Sequence, residues 1–136
     1  MSDAARELLR EIVSRYSVRT SAPLADATHS ANGENPACGD HVRLDLRVAS
    51  GTITGVSYAA RACAVCLASC AILAEGVAGQ PIKAALQLAS QVRALTEGRA
   101  HTDAPPLALF ARIRLLPSRS QCALLPWATL ERSLET

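Results

Sequence analysis

The sequence has few aromatic residues, little net charge and no apolar run long enough to cross a membrane. Its 136 residues include one Trp, two Tyr and one Phe, and 14 Lys and Arg residues offset 12 Asp and Glu residues to a formal net charge of +2. The positive residues are spread along the chain. The sequence therefore has neither a block of basic residues nor a basic patch with aromatic residues between them, the features typical of nucleic-acid binding. We therefore expect no nucleic-acid partner.

The longest small and apolar run, Ala62–Ala74, has 13 residues and contains a single serine. A bilayer-spanning helix needs roughly 20 residues, so neither a transmembrane helix nor a membrane partner is predicted. The N-terminal stretch is amphipathic and contains arginine, but Asp3, Glu7 and Glu11 are atypical of an acid-poor transit peptide. We expect a cytoplasmic protein in which this stretch forms the first helix of the mature fold.

Five cysteines are present in a chain that shows no secretory signal: Cys38, Cys63, Cys66, Cys70 and Cys122. Disulfide frameworks are rare in reducing compartments, and an odd count leaves one cysteine without a partner. The cysteines therefore indicate metal or thiol chemistry. Hydrophobic residues make up 49% of the sequence, which favours one globular domain over residues 1–136.

The strand predictions rest on alternating apolar residues. His41–Val48 alternates strictly and predicts a strand that is apolar on one face. A turn then leads to the β-branched segment Thr52–Ala60, which we expect to pair with it as an antiparallel hairpin with a bulge at Gly55. Residues 17–35 are rich in small and polar residues and predict a loop or an irregular edge strand.

The helix predictions rest on apolar residues at three- and four-residue steps and on turn residues at the ends. The predicted helices cover residues 3–16, 64–78, 82–95 before Gly98, 107–113 and 119–134. Pro126 falls inside the last of them, where it removes one backbone donor. It therefore predicts either a kink or a later start of that helix.

Three of the cysteines lie beside turns or helix starts rather than at predicted core positions. Cys38 precedes the alternating strand, Cys63 joins a strand to a helix, and Cys122 is near the start of the last helix. The unpaired N–H groups and the dipole of a helix N-terminus stabilise a thiolate. We therefore expect a lowered thiol pKa at Cys63 and Cys122.

Asp40 follows Cys38 by two residues and can add a carboxylate oxygen to three thiolates. Four such ligands make a tetrahedral site that suits zinc or the iron of a cluster. The alternative is that the cysteines pack as small hydrophobic side chains and that Asp40 caps a turn. Spacing alone leaves both interpretations open.

Cys66 and Cys70 allow a further arrangement. Cys63 and Cys66 form a Cys-x-x-Cys pair, and Cys70 lies four residues beyond Cys66, so all three can share one helical face. A redox pair or a second metal arrangement is conceivable, but packing of Cys66 and Cys70 among Ala and Leu is the favoured interpretation. We therefore leave these two residues out of the primary site.

Arg119 lies three residues before Cys122, where its charge can steady a thiolate or meet an acidic partner, although exposed arginines are usually solvated. The histidines show no ligand-like spacing and are expected to face solvent: His29, His41 and His101. No Ser-His-Asp order, phosphate-binding loop or dinucleotide fingerprint is present.

Three motifs follow one another along the chain. The first is Asn35–Asp40 (NPACGD), and the third is Cys122–Glu131 (CALLPWATLE). The second is a helix rich in small residues, which begins at Cys63 and ends with the sequence EGVAGQ. Together they resemble the IscU/NifU N-terminal family of iron–sulfur cluster assembly proteins, over nearly the whole chain. Within that family the chain is most similar to the SufU branch, because Arg119 matches an arginine of that branch. The IscU scaffolds also place a histidine before the last cysteine, where this chain has Gln121.

The resemblance implies an α+β fold in which a small antiparallel sheet of about three strands is flanked by helices. It also implies a surface zinc site made by Cys38, Asp40, Cys63 and Cys122. Proteins similar to SufU accept sulfur from a pyridoxal-phosphate cysteine desulfurase (SufS-like), which supplies a replacement zinc ligand and frees one thiolate. For this chain the resemblance implies Cys38 as the sulfur acceptor, with Asp40 and Arg119 in the catalytic group, and downstream iron–sulfur assembly or acceptor proteins as further partners.

Two departures from the family pattern surround Cys63. The family has a Gly-x-Gly-Cys approach, whereas this chain has Ala60–Cys63 (ARAC), so we expect a backbone that needed glycine to differ here. One of the serines usual in the following helix is replaced by Cys66. Cys66 is therefore a candidate substitute ligand.

Three functions are consistent with these residues. The preferred one is a zinc-dependent sulfurtransferase, because zinc holds thiols deprotonated at neutral pH without oxidising them. The second is a scaffold that assembles and transfers a [2Fe–2S] cluster on the same ligands, with labile iron and sulfide. The third is a non-catalytic domain in which zinc only holds loops together.

Overall fold

The computed structural model describes residues 2–16 and 20–135. Residues 17–19, which belong to the predicted loop or edge strand, lie outside the described residues. The elements are α1 (Asp3–Arg15), β1 (His29–Asn35), β2 (Asp40–Ala49), β3 (Thr52–Arg61), α2 (Ala64–Val77), α3 (Ile82–Thr96), α4 (Ala108–Arg112), two 3-10 turns (Ile113–Leu115 and Pro117–Arg119) and α5 (Ser120–Ser133).

The three strands form one antiparallel sheet in the order β1-β2-β3. The alternation of the central strand β2 places Val42, Leu44 and Leu46 on one face, and all three are buried. The opposite face is polar and carries the ion pair between Arg43 and Asp45, with a nitrogen–oxygen distance of 3.1 Å. The predicted α+β fold with about three antiparallel strands is confirmed.

The segment predicted as a loop or an irregular edge strand contains the regular edge strand β1. Its sequence, HSANGEN, has no apolar alternation, and its pairing with β2 defines it as a strand. The bulge in the β2–β3 hairpin lies one residue from its predicted position at Gly55. The register shifts between Arg47 and Val48 and leaves Thr54 as the extra residue.

Helices α2 and α5 cover the apolar face of the sheet. α2 contacts β3, α5 contacts β1 and β2, and the two helices pack on each other. Trp127 of α5 is fully buried and meets Phe110 of α4 edge-to-face, with 6.1 Å between the ring centroids. α5 runs through Pro126, whose missing N–H affects one carbonyl only, that of Cys122.

The predicted helices agree with the observed ones to within about two residues at each end, the margin by which helix assignments themselves differ. Gly79 and Gly98, each with a φ of 79°, follow the ends of α2 and α3. Across the described ranges, no helix combines the length and the apolar character that a membrane crossing requires.

Gly33 lets α5 approach the edge strand β1. A Cβ atom at this position would lie 2.1 Å from Thr129 Oγ1 and 3.1 Å from Leu125 Cδ1. We expect Gly33→Ala to lower the free energy of unfolding by about 1–3 kcal/mol, the usual cost of overpacking. Urea denaturation measures the change.

Thr129→Ala removes the nearest colliding atom and provides the control for Gly33→Ala. The double variant should lose less stability than the two single variants together, because the two side chains compete for one space. Additive losses would show that the contact between β1 and α5 is not the cause.

Candidate metal centre

Three chain segments meet beyond one end of the sheet. Cys38 lies in the turn between β1 and β2, and Asp40 begins β2. Cys63 is the N-cap of α2, and Cys122 is the third residue of α5. The Sγ atoms of Cys38 and Cys122 are 3.4 Å apart although the two residues are separated by 84 positions. The structure thus brings the four sequence-predicted ligands into one neighbourhood.

Asn35 shapes the turn that carries Cys38. Its carbonyl oxygen accepts hydrogen bonds from the backbone N–H groups of Cys38 (3.2 Å) and Gly39 (2.9 Å), and its side-chain oxygen accepts from the Ala37 N–H (3.3 Å). Gly39 has a φ of 74°, a left-handed conformation that glycine adopts without steric cost. The turn leaves the Cys38 side chain exposed.

Asp40 is the buried centre of the group. One of its carboxylate oxygens accepts the backbone N–H of Cys63 at 2.9 Å, and the other accepts the Cys63 thiol at 3.7 Å. The sulfur atoms of Cys122 and Cys38 lie within 4.8 Å of a carboxylate oxygen of Asp40. Burial raises the pKa of Asp40, but the hydrogen bonds from the three cysteines outweigh burial and hold the pKa below its usual value.

Three of the four predicted donor atoms lie close enough together to share one metal ion. The ligand atoms of Cys38, Asp40 and Cys122 all lie within 4.8 Å of one another. Cys63 is outside this mutually close group, and its Sγ contacts the Asp40 carboxylate at 3.7 Å. Sulfur ligands at about 2.3 Å and an oxygen ligand at about 2.0 Å from zinc require ligand separations of about 3.5–3.8 Å, so the Cys63 side chain must move closer to the other thiols for all four to bind one ion. Three thiols with one carboxylate are donors that suit zinc or iron.

Cys122 lies in a different environment from the one that its sequence position predicts. It is only 1% exposed and belongs to the hydrophobic core, whereas the sequence places it outside the core. Burial is the main cause that raises the pKa of its thiol, and its hydrogen bond with Asp40 adds to the effect. The predicted lowering of the Cys122 pKa is wrong, because desolvation outweighs the helix N-terminus.

Arg119 lies beside the thiols. The charge of Cys63 is the main cause that raises the pKa of Arg119, and hydrogen bonds from its guanidinium to Cys122 and Cys63 contribute further. Arg119 ends the 3-10 turn that directly precedes α5. A permanent positive charge at this position compensates negative charge on the sulfur ligands.

The approach to Cys63 uses ordinary backbone conformations. Among the described residues, Asp26 and Ser50 are the only ones that combine a side chain with a positive φ. Cys63 itself has a φ of −70° and a ψ of 165°. The segment Ala60–Ala62 therefore places Cys63 against Asp40 without glycine.

Cys66 and Cys70 lie in α2, and both are buried in the hydrophobic core of the protein. Their mutual hydrogen bond and the burial of Cys66 raise the pKa of the Cys66 thiol. Within the described part of the chain, neither belongs to the group of mutually close ligand atoms.

An open cavity of about 480 Å³ lies beside Asp40 and is lined in part by Glu34, His41 and Arg61. His41 contacts Glu34 at 3.9 Å, and the distant His101 contacts Asp103 at 2.9 Å. These histidines pair with carboxylates outside the cysteine group. The turn residues Asn35, Pro36 and Gly39 also line this cavity, so it lies on the side of the site that carries the exposed Cys38 turn.

Ser69 is a supporting residue that the sequence alone does not single out. Its hydroxyl donates to the carbonyl oxygen of Ala123 at 2.6 Å and accepts from the Trp127 Nε1–H at 3.0 Å. These two bonds fix α2 to α5 next to Cys122. Ser69 has the one hydroxyl in α2, which is the available signal, but the sequence does not show its partners 54 and 58 residues away.

Two curated relatives match most of this chain. It is 26% identical over 114 residues to the iron–sulfur cluster assembly scaffold protein IscU of Thermotoga maritima, with 82% of this chain and 80% of that protein covered. It is 24% identical over 103 residues to the zinc-dependent sulfurtransferase SufU of Bacillus subtilis, with 74% of this chain and 70% of that protein covered.

Solved structures share the fold. A protein of Fervidobacterium islandicum described as an iron–sulfur cluster assembly scaffold for the SUF system superposes with a TM-score of 0.78 at 24% identity, covering 99% of this chain and 96% of that one. The N-terminal part of a NifU-like protein of Brucella abortus gives a TM-score of 0.74 at 19% identity, covering 98% and 90%. At such identities the likeness establishes the common architecture.

The family model for the NifU-like N terminal domain matches residues 10–111. The matched range includes Cys38, Asp40 and Cys63 and ends before Arg119 and Cys122. It covers well over half of the chain and the entire sheet, and the sequence motifs point to the same proteins. The chain therefore belongs to the family of NifU-like N terminal domains.

Proposed function

We propose that this protein is a zinc-dependent sulfurtransferase of iron–sulfur cluster assembly, which accepts sulfur from a pyridoxal-phosphate cysteine desulfurase. The observation that carries the proposal is the unequal exposure of the sulfur atoms in one ligand group. Cys38 is exposed on a turn, whereas Cys122, 3.4 Å away, is buried in the core. Cys38 can reach a second protein while Cys122 keeps its place.

The proposed transfer moves one sulfur atom and needs no external oxidant or reductant. The Cys38 thiolate attacks the terminal sulfur of a persulfide on the desulfurase. A new S–S bond forms at Cys38 Sγ, the S–S bond on the desulfurase breaks, and the desulfurase cysteine leaves as a thiolate. Cys38 then carries the sulfur as a persulfide for downstream assembly or acceptor proteins.

The remaining residues of the group have distinct proposed roles. Asp40 fixes the start of α2 through the Cys63 N–H, so it positions Cys63 as well as offering an oxygen ligand. Arg119 compensates the negative charge that the thiolates concentrate at one point. Zinc, held by Cys38, Asp40, Cys63 and Cys122, would keep the thiols deprotonated at neutral pH and add no redox chemistry of its own.

A second candidate is a scaffold on which a [2Fe–2S] cluster is built as cargo. The Thermotoga relative is named as a scaffold, and three thiolates with one carboxylate are donors that iron also accepts. The two candidate functions predict different metal and sulfide contents of the purified protein. The scaffold would hold labile iron and sulfide, and the sulfurtransferase would hold zinc alone.

A purely structural zinc site has less support. The core formed around Trp127, Phe110 and Leu44 is continuous and fully buried without any contribution from the exposed Cys38 turn. Domains that depend on structural zinc unfold when the metal is removed. Retention of the folded state after chelation would therefore exclude the structural role.

The test begins with the metal and acid-labile sulfide content of the chain purified without oxygen. We expect about one zinc per chain, as one four-ligand site predicts, and no sulfide. After incubation with cysteine and a pyridoxal-phosphate desulfurase, mass spectrometry should find one additional sulfur atom on Cys38. Cys38→Ser should abolish this labelling, and Cys70→Ser, which changes a buried thiol outside the group, should preserve it.

Two results would contradict the sulfurtransferase proposal. Iron with stoichiometric sulfide in the isolated protein would favour the scaffold. Undiminished sulfur labelling in Cys38→Ser would show that the exposed thiol is not the acceptor.

A further inference from the structure

Cys63 and Cys66 occupy two positions of α2 whose side chains can meet. Cys63 is the N-cap and Cys66 is the third helical residue. An N-cap side chain leans over the first turn, which is why N-cap oxygens reach the N–H of the second or third helical residue. The Cys63 side chain makes no such capping hydrogen bond. Its thiol donates to the Asp40 carboxylate at 3.7 Å, and it must leave this contact to reach Cys66.

Backbone geometry favours this pair over the other pair in α2. Helix parameters put the Cα atoms of residues three apart at about 5 Å, within the range of about 4.4–6.8 Å that disulfides occupy. Cys66 and Cys70 are four apart inside a regular helix, where Cβ atoms are about 5–6 Å apart, whereas a disulfide needs about 3.5–4.5 Å. The extended N-cap backbone frees Cys63 from this limit.

The two thiols differ in access. Cys63 is half-buried, and Cys66 is completely buried beneath the first turn. An oxidant from solvent therefore reaches Cys63 and does not reach Cys66. Where a second thiol lies next to an accessible one, the accessible thiol is oxidised first and the second thiol resolves the product.

We propose that Cys63 and Cys66 form a reversible disulfide when the protein meets a peroxide. The Cys63 sulfur attacks one peroxide oxygen, the O–O bond breaks, and one water leaves as a sulfenic acid forms on Cys63. The Cys66 thiol then attacks that sulfur, an S–S bond forms, and the S–O bond breaks to release a second water. The two thiols lose two hydrogens, and one peroxide becomes two waters.

The disulfide has a consequence for the metal that rests on the proposed function. Cys63 is one of the four proposed ligands, and a sulfur in a disulfide no longer binds zinc as a thiolate. The oxidised chain should therefore release its zinc. Reduction by a dithiol returns Cys63 to Asp40, whose bond to the Cys63 backbone N–H does not depend on the sulfur.

Cys38 and Cys122 form the competing pair, because their sulfur atoms are 3.4 Å apart. Both belong to the proposed ligand set, whereas Cys66 lies outside it. In zinc-loaded protein, Cys66 is therefore the resolving thiol that does not have to leave the metal. The competing linkage joins distant peptides and is separable from the Cys63–Cys66 linkage by mass.

The test treats the zinc-loaded full-length protein with hydrogen peroxide and follows the intact mass, the tryptic peptides and zinc release to a chromophoric chelator. Trypsin leaves residues 62–83 as one peptide, since no Lys or Arg lies between Arg61 and Lys83. We expect this peptide to lose two hydrogens, and dithiothreitol to restore them. Variants then identify the partner of Cys66.

Cys66→Ser should lower the fraction of disulfide-containing peptide by about tenfold or more, and Cys66→Ala should do the same if serine perturbs the core. Cys70→Ser is the matched control: it keeps a hydrogen-bonding group beside Cys66 and should retain the disulfide. Loss of the disulfide in Cys70→Ser, or a linkage between the peptides of Cys38 and Cys122, would overturn the proposal. A Cys63–Cys66 disulfide in a protein that never binds zinc would support it and refute only the proposed function.

Discussion

Asp40→Ala is expected to lower the affinity for zinc by about 100-fold or more. Loss of a residue that only orients a ligand costs about 10–100-fold, and Asp40 both offers an oxygen to the metal and accepts the backbone N–H of Cys63 at 2.9 Å. A 100-fold change corresponds to about 2.7 kcal/mol. Competition with a chromophoric zinc chelator measures the affinity.

Asp40→Asn separates the two roles of Asp40. Its amide oxygen can still accept the Cys63 N–H, so the start of α2 keeps its position, but the side chain carries no charge and binds zinc poorly. We expect an affinity between those of the wild type and of Asp40→Ala. Asp45→Asn changes a carboxylate on the polar face of the same strand, paired with Arg43, and should leave zinc binding unchanged.

Wild-type zinc affinity in Asp40→Ala would remove Asp40 from the ligand set. The site would then consist of three thiols and a ligand from elsewhere. Equal losses in Asp40→Ala and Asp40→Asn would instead assign the whole effect to the carboxylate charge.

Ser69→Ala is expected to lower the free energy of unfolding by about 2–4 kcal/mol. The substitution leaves the Trp127 Nε1–H without a partner in a fully buried position, which costs about 1–3 kcal/mol. It also removes the hydrogen bond from Ser69 to the Ala123 carbonyl, which contributes about 0.5–1.5 kcal/mol. Trp127 cannot turn toward water, because it is packed edge-to-face against Phe110. Urea denaturation monitored by Trp127 fluorescence measures the loss.

Ser90→Ala is the matched control for Ser69→Ala. Ser90 is exposed in α3, and its replacement should change stability by less than about 0.5 kcal/mol. A Ser69→Ala protein as stable as the Ser90→Ala protein would show that the bridge between α2 and α5 contributes nothing. If Ser69→Ala lowers the free energy of unfolding more than Ser90→Ala does, we also expect Cys122, the residue next to Ala123, to be held less firmly.

Local sequence patterns were sufficient to predict the strand β2 and the helices. In β2 every second residue is apolar, and in α1 apolar residues recur at helical steps, so each element is recognisable from neighbours in sequence. Cys38 and Cys63 were found in the same way, because turn residues and a change from strand to helix composition mark their positions. The family resemblance joined these residues to Asp40 and Cys122.

The tertiary structure decided what depends on distant partners. β1 is a strand because it pairs with β2, although HSANGEN carries no strand pattern. Cys122 is buried because α5 packs on α2 and the sheet, and this burial reverses the expected direction of its thiol pKa. Ser69 bridges two helices that the sequence treats as separate.

The sequence by itself thus determined which residues have the chemistry of a metal or sulfur site, and the structure decided which of them meet and how exposed each one is. Periodicity reports only contacts within a few residues along the chain. Burial and charge compensation at Asp40 depend on groups from three segments, up to 84 residues apart. The desolvation of Asp40 and Cys122 depends on these assembled surroundings, so its effect on their pKa values can be determined only from the folded structure.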